Sequence, residues 1–227
     1  MSRLHVLKVF LGEDGAGGNP LGVFLDGAEV AEDERQGVAA DLGFSETVFV
    51  DDAERGEVRI FTPAAELPFA GHPLVGTSWL LARESNEPSV LRPPAGEVGV
   101  RFEGDITFIS GRPEWAPEFE HIELGSPEEV DALDGPPEGH DLAGTWAWED
   151  EEDGRVRVRV FPVRYGIQED EATGAYAVRL AALMERRIEI HQGVGSIILA
   201  EPQGDGSVEI GGRVELVEQR KYTKDGG

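Results

Sequence analysis

Two stretches of the 227-residue chain read the same way, and together they constrain its fold more than any other feature. VRIFTPAAELPFAGHPLVGTSWLL, from Val58, and VRVFPVRYGIQEDEATGAYAVRLAAL, from Val158, each pass from a strand through a loop and a glycine into a helix. The shared Val-Arg-apolar-Phe start and the matching places of Gly71 and Gly174 support duplication of one unit. Chance likeness between short segments is the alternative. A loop that turns into a helix presents unpaired backbone N–H groups and the positive end of the helix dipole. Glycine at that point lets an anion come close to the backbone. Two such units facing each other predict a pocket for a carboxylate-bearing metabolite; apart, Gly71 and Gly174 only permit tight turns. Neither loop carries the G-x-x-x-x-G-K-[ST] pattern of a nucleotide phosphate site.

Alternating apolar residues and turn signals predict strands over 4–10, 21–25, 47–50, 58–61, 98–102, 106–110, 145–148, 156–161, 188–191, 197–200, 208–210 and 214–217. Helices are predicted over 31–42, with Gly43 as a glycine C-cap, over 73–83 and over 173–186. Residues 12–20 read as a glycine-rich loop, 84–94 as a linker, and 112–140 as mostly loop with one short helix. The division expected is an N-terminal half over 1–90 and a shorter C-terminal half over 91–227.

The charge is strongly one-sided: 45 acidic against 20 basic residues, a net charge of -25. Both nucleic acid and anionic membrane repel such a surface, so neither is an expected partner. Lysine occurs only at Lys8, Lys221 and Lys224. An acidic, lysine-poor surface is expected of a salt-adapted (halophilic) protein, because salt screens self-repulsion; a GC-rich genome favouring Arg codons is the other explanation. The absence of cysteine excludes disulfides, thiolate metal sites and cysteine nucleophiles. No apolar run reaches the ~18 residues of a membrane span and no signal peptide is visible at Met1. The expected location is cytoplasmic.

Three residues stand where pocket chemistry is expected. Glu46 enters a short apolar strand, where burial raises a carboxyl pKa and suits it to acid/base work; an exposed turn residue is the plainer reading. His72 lies beside the start of the 73–83 helix, where the dipole lowers its proton affinity and a neutral imidazole can hydrogen-bond an acid. A structural histidine is the alternative. Asp170 lies in an acidic triplet just before the second helix, where carboxylates are also favourable simply as partners of the dipole. The histidines lack ligand spacing such as H-E-x-x-H, so no metal is expected.

Four segments in order resemble the phenazine-biosynthesis-like (PhzF-like) isomerase family, relatives of diaminopimelate epimerase. They are Gly18-Asn19-Pro20 before an apolar strand, GFSETVFV from Gly43, FTPAAELPFAGHP from Phe61, and EDEATGA from Glu169. The resemblance implies an α+β fold of two similar halves, each a curved, mostly antiparallel sheet around a central helix, with the active site between them. It implies that Glu46 moves a proton between substrate carbons, assisted by His72 and Asp170. Gly71 and Gly174 then hold the substrate carboxylate, with Asn19 and Ala175 also at the substrate. It implies no cofactor. The chain departs from the pattern in three ways. Ala175 stands where family members commonly have serine, the stretch after Gln192-Gly193-Val194 lacks an expected arginine, and the middle is shortened. The departures imply a more open cleft and leave the substrate open, the family's aromatic precursor included.

The function expected is a cofactor-independent isomerase acting on a small carboxylate metabolite. The competing readings are a non-catalytic small-carboxylate-binding protein derived from such an isomerase, and a homodimer with a structural role.

Overall fold

A computed structural model describes residues 2–84 and 87–223; Met1, residues 85 and 86 of the expected linker, and Lys224 to the end lie outside them. The elements run β1 (Arg3–Leu11), β2 (Gly17–Phe24), α1 (Glu32–Leu42), β3 (Glu46–Asp52), β4 (Glu57–Phe61), β5 (Glu66–Leu67), α2 (Gly71–Arg83), β6 (Val90–Leu91), β7 (Val98–Glu103), β8 (Ile106–Gly111) and β9 (Glu120–Glu123). They continue with α3 (Pro127–Asp131), β10 (Ala143–Asp150), β11 (Arg155–Phe161), α4 (Gly174–Met184), β12 (Ile188–Gln192), β13 (Ser196–Pro202) and β14 (Val208–Lys221). The strands join in the order β5-β4-β3-β2-β1-β14-β13-β12-β11-β10-β9, with β8, β7 and β6 branching from β14. Most neighbours are antiparallel; β2–β3, β9–β10 and β11–β12 are parallel. The α+β class implied by the resemblance is therefore the observed one.

The sheet wraps two helices. In α2 every residue from Gly71 to Ser78 is buried, as are Leu80 and Leu81. A helix without a continuous polar face has to be enclosed, and α2 is, by β1, β2, β3, β8 and β14. Helix α4 buries Tyr176, Ala177, Val178, Leu180 and Ala181 and packs on β13 and β14. By contrast α1 lies outside. Its acidic first turn and Gly43 C-cap, at φ 65°, match the expected signals. Its inward Arg35 is buried and binds the carbonyls of Gly27 and Val30 and the Asp51 carboxylate, the last at 2.6 Å.

Strand β14 ties the sheet together. Val208–Gly212 pairs with β8, and Val208–Gly211 also with β13, whereas 213–221 pairs with β1. It is one strand rather than the two expected, because Gly211 and Gly212 do not turn the chain. They leave room for the Phe108 and Phe10 rings, which a Cβ would strike. The loop expected over 12–20 is shorter than that: from Gly17 the chain is already β2, with Gly17 and Gly18 at φ 69° and 86°. The linker expected over 84–94 is packed at its far end, where fully buried Leu91 pairs with Val98.

Both repeated units behave alike. Strand β4 leads to α2 and β11 leads to α4, each strand antiparallel to the one before it. The two helices meet at their first residues. A Cβ on Gly71 would lie 2.7 Å from the Gly174 Cα, and one on Gly174 would lie 2.8 Å from the Gly71 Cα. Backbone cannot yield as a side-chain tip can. Gly71→Ala is expected to destabilise the fold by about 1–3 kcal/mol, the usual cost of overpacking. A urea-unfolding midpoint equal to wild type would contradict the contact.

Candidate active site

The abutting helix starts form the floor of a cavity of about 260 Å³. Neither helix is capped by a side chain: Ala70 precedes α2 and Thr173 precedes α4, and neither side chain bonds the helix. The first N–H groups of a helix have no partner within it, so those of Gly71 and His72, and of Gly174 and Ala175, converge at the junction. Two positive dipole ends meet there. Glu46, Asp170 and Ala175 line the cavity, as do Thr62 and Thr173. Gly71 and His72 follow the lining residue Ala70, Gly174 lies between Thr173 and Ala175, His72 is beside Glu46, and Asn19 hydrogen-bonds Asp170.

Glu46 is the first residue of β3, paired in parallel register with Leu21 of β2. Its side chain is 13 % exposed. Burial raises its pKa from 4.5 to about 8, and the nearby Asp170 charge pushes the same way. His72 is buried at the start of α2, and burial lowers its pKa to about 3. The His72 ring donates to the Pro20 carbonyl while Nε2 is without a hydrogen-bond partner, so Nδ1 is the donor and Nε2 presents its lone pair. That nitrogen is 3.3 Å from Glu46 Oε2, also unpartnered. One proton on Glu46 serves both atoms: the carboxyl is the acid and the neutral imidazole its neighbouring base.

Asp170 is held by a different device. Oδ1 accepts from Asn19 Nδ2 at 2.8 Å and Oδ2 accepts from the Thr173 hydroxyl at 2.7 Å. Burial raises its pKa to about 6, and these two bonds oppose the rise. At neutral pH the carboxyl pair therefore carries one charge, on Asp170, with Glu46 protonated. Asn19 also donates to the Ala172 carbonyl, and its Oδ1 accepts from the Ser45 hydroxyl. Its polar groups are directed at protein atoms, and it meets the cavity through Asp170.

Sequence reading passed over the residues that brace this arrangement. Gln192 donates to the Asp170 carbonyl and the Thr173 hydroxyl, and accepts from the Thr173 N–H. Ser45, Asn19, Asp170, Thr173 and Gln192 thus form one hydrogen-bonded chain across the cleft. The available signal is position: Gln192 falls on the same alternate, buried face of β12 as Ile188 and Ile190. Nothing in the sequence pointed to the apolar side of the cavity, where Phe69, Trp115 and Phe119 lie. Among the described residues no group of His, Asp and Glu is arranged to hold a metal. No helix there is long and apolar enough to cross a membrane.

Comparison with known proteins agrees with this fold. A solved phenazine biosynthesis protein of the PhzF family from Enterococcus faecalis has the same fold, with a TM-score of 0.75 over 98% of this chain and 100% of that one, at 19% identity. The α+β fold is of the diaminopimelate epimerase-like kind. The sequence model of the family described as phenazine biosynthesis-like protein matches residues 8–135. A trans-2,3-dihydro-3-hydroxyanthranilate isomerase of Pseudomonas fluorescens is 31% identical, the match covering 88% of this chain and 89% of that one. An uncharacterized isomerase of Pasteurella multocida is 40% identical over 41% of this chain and 34% of its own length. The chain belongs to the phenazine biosynthesis-like (PhzF-like) family of isomerases.

The buried acid leaves a mark on stability. Folded Glu46 and Asp170 keep protons that the unfolded chain releases above 4.5 and 3.8, so both groups make stability fall as pH rises toward about 8 and about 6. His72 acts oppositely, costing stability as pH falls from 6.5 toward about 3. Glu46→Gln removes the limb above pH 5 that belongs to Glu46. Its stability relative to wild type should grow by on the order of 4 kcal/mol between pH 5 and 8.5, at ~1.4 kcal/mol per pKa unit. A constant difference in urea unfolding across that range would show that Glu46 is not a buried acid.

Proposed function

We propose that this enzyme is a cofactor-independent isomerase that moves a proton between carbons of a small unsaturated carboxylate, with Glu46 carrying the proton. The observation behind the reading is the buried Glu46 carboxyl, 3.3 Å from His72 Nε2 and beside two helix starts that no side chain caps. The substrate carboxylate lies over the N–H groups of Gly71, His72, Gly174 and Ala175 and is held there by both dipoles. Ionised Glu46 takes a proton from one carbon. The C–H electron pair moves into the double-bond system conjugated with the carboxylate, whose growing charge the helix ends stabilise. Protonated Glu46 then returns that proton to another carbon, and the double bond has shifted. Atoms and electrons are conserved, so neither oxidant nor cofactor is needed.

A carboxylate of pKa near 8 is a stronger base than an ordinary one yet still titrates close to neutrality, the range in which proton transfer is most effective. His72 Nε2 orients the Glu46 proton, and Asp170 keeps the Glu46 pKa high. Asn19 and Gln192 position Asp170. The relative named as a trans-2,3-dihydro-3-hydroxyanthranilate isomerase makes cyclic unsaturated carboxylates the first compounds to test. The chain's net charge of -25 supports a small-metabolite partner in the cytoplasm rather than nucleic acid or membrane. We also retain the division into halves at about residue 90, with β14 crossing back to the first, and a second copy of the chain as the partner for assembly.

Deuterium incorporation from D2O, followed by NMR on candidate carboxylates, tests the reading. Wild type should exchange with a rate that rises with pH and levels off near 8, and Glu46→Gln should be slower by about a hundredfold or more. Asp170→Asn should move the rising limb to lower pH, because the charge that raises the Glu46 pKa is gone; a role confined to folding leaves the limb in place. An undiminished rate in Glu46→Gln would overturn the mechanism.

A further inference from the structure

Asp170 is an anion in an unfavourable place. It is buried, and the charges that face it are acidic: Glu46 on β3 and Glu171 beside it in the chain. Glu169, on its other side, is taken up by Arg159, and His72 of α2, next to Glu46, is neutral. Hydrogen-bond donors are left to hold the charge, and they are the Thr173 hydroxyl, the Asn19 amide and the Glu171 N–H.

A hydroxyl can donate or accept, and a side-chain amide can be turned end for end, so such bonds favour an anion only when their direction is fixed. Backbone groups fix it here, because their polarity cannot change. Gln192 Oε1 accepts from the Thr173 N–H at 3.1 Å, and Nε2 donates to the Asp170 carbonyl at 2.8 Å, so the amide cannot reverse. The second Nε2 hydrogen goes to Thr173 Oγ1 at 3.0 Å. Receiving that hydrogen, the Thr173 oxygen directs its own proton along its shorter contact, to Asp170 Oδ2 at 2.7 Å. Gln192 is 1 % exposed, so bulk water does not compete for its hydrogens. On the other oxygen Asn19 is fixed in the same way, its Nδ2 donating to the Ala172 carbonyl at 2.9 Å and to Asp170 Oδ1 at 2.8 Å. A proton placed on Asp170 would meet a donor at either oxygen and would break one of these bonds.

We propose that Gln192 is a positioning residue that fixes the direction of the Thr173 hydroxyl bond, and so keeps Asp170 the anion and Glu46 the acid of the pair. Gln192 makes no bond to either carboxyl. It acts on Asp170 through one hydroxyl, and on Glu46 only through the charge that Asp170 retains. The inference deepens the function proposed above, resting on its pair of carboxyls, but it concerns the ligand-free protein and is tested without a substrate.

Infrared titration of the full chain tests it, the C=O band of protonated Asp170 being assigned by subtraction of Asp170→Asn and that of Glu46 by subtraction of Glu46→Gln. Gln192→Met, close in volume but without donors, should move the disappearance of the Asp170 band upward by about one pH unit or more. That is about a tenfold gain in proton affinity, the worth of a hydrogen bond to an ionised group. At pH 7 the Glu46 band should weaken as its proton divides between the two carboxyls. Thr173→Val should give the same shift, and Thr173→Ser, which keeps the hydroxyl, should not. Added to Thr173→Val, Gln192→Met should cause less than about a third of the shift it causes alone, because the path through the hydroxyl is already cut. An Asp170 band that titrates in Gln192→Met as in wild type, or a full further shift on top of Thr173→Val, overturns the proposal. Should Gln192→Met fail to fold, a shift in Thr173→Val but not in Thr173→Ser supports it, and equal titrations in the two overturn it. If the shifts come out as expected while no carboxylate exchanges deuterium, the role of Gln192 stands and only the isomerase reading fails.

Discussion

Helices α2 and α4 touch through Gly71 and Gly174, closely enough that a Cβ on either would enter the other's backbone. Most of the site depends on that contact. It brings two dipole ends to one point, which neither half of the sheet could do alone, and leaves their N–H groups without side-chain caps. Like dipole ends brought together repel. The sheet overcomes this by enclosing α2 on nearly every side and by tying both halves to β14. An anion at the junction would relieve the same repulsion, which is why the contact suits the proposed carboxylate site.

That positive floor sits under two carboxyl groups, and burial decides how they share charge. Glu46, facing the lone pair of His72 Nε2, keeps its proton to about 8. Asp170, receiving hydrogen bonds from Asn19 and Thr173, gives its proton up near 6. The groups differ because burial and the Asp170 charge outweigh the one Ser45 hydrogen bond to Glu46, whereas Asp170 has both Thr173 and Asn19 as donors. Separation of this kind between neighbouring carboxyls is how one site keeps an acid and a base together at neutral pH. In the proposed function a substrate carboxylate would add one more negative charge, and the lining holds no Lys, Arg or His to meet it besides the helix ends.

Much of this could be read from the sequence, and the failures have a common cause. The repeated strand-loop-glycine-helix units located both helix starts within a residue or two, and the α1 signals, an acidic first turn and Gly43, gave its bounds closely. Local reading failed wherever a distant segment decided the outcome. Glu46 alone reads as a surface carboxylate; its burial comes from the pairing of β3 with β2 and from α2 above it. Gly211 and Gly212 read as a turn until Phe10 and Phe108 are placed over them. Trp115 gave no sign of facing the cleft, because Phe69 and Arg179, which hold its segment, lie 46 and 64 residues away in the chain. Asn19 was expected at the substrate, and the geometry turns its amide toward Asp170.

Everything proposed for the chemistry turns on whether the Glu46 carboxyl holds its proton at neutral pH. Infrared difference spectroscopy of the ligand-free enzyme, wild type against Glu46→Gln, observes the C=O stretch of a protonated carboxyl directly. The account predicts a band at pH 7 that is missing in Glu46→Gln and titrates away near pH 8. A wild-type spectrum at pH 7 with no such band, showing Glu46 already ionised, would contradict it.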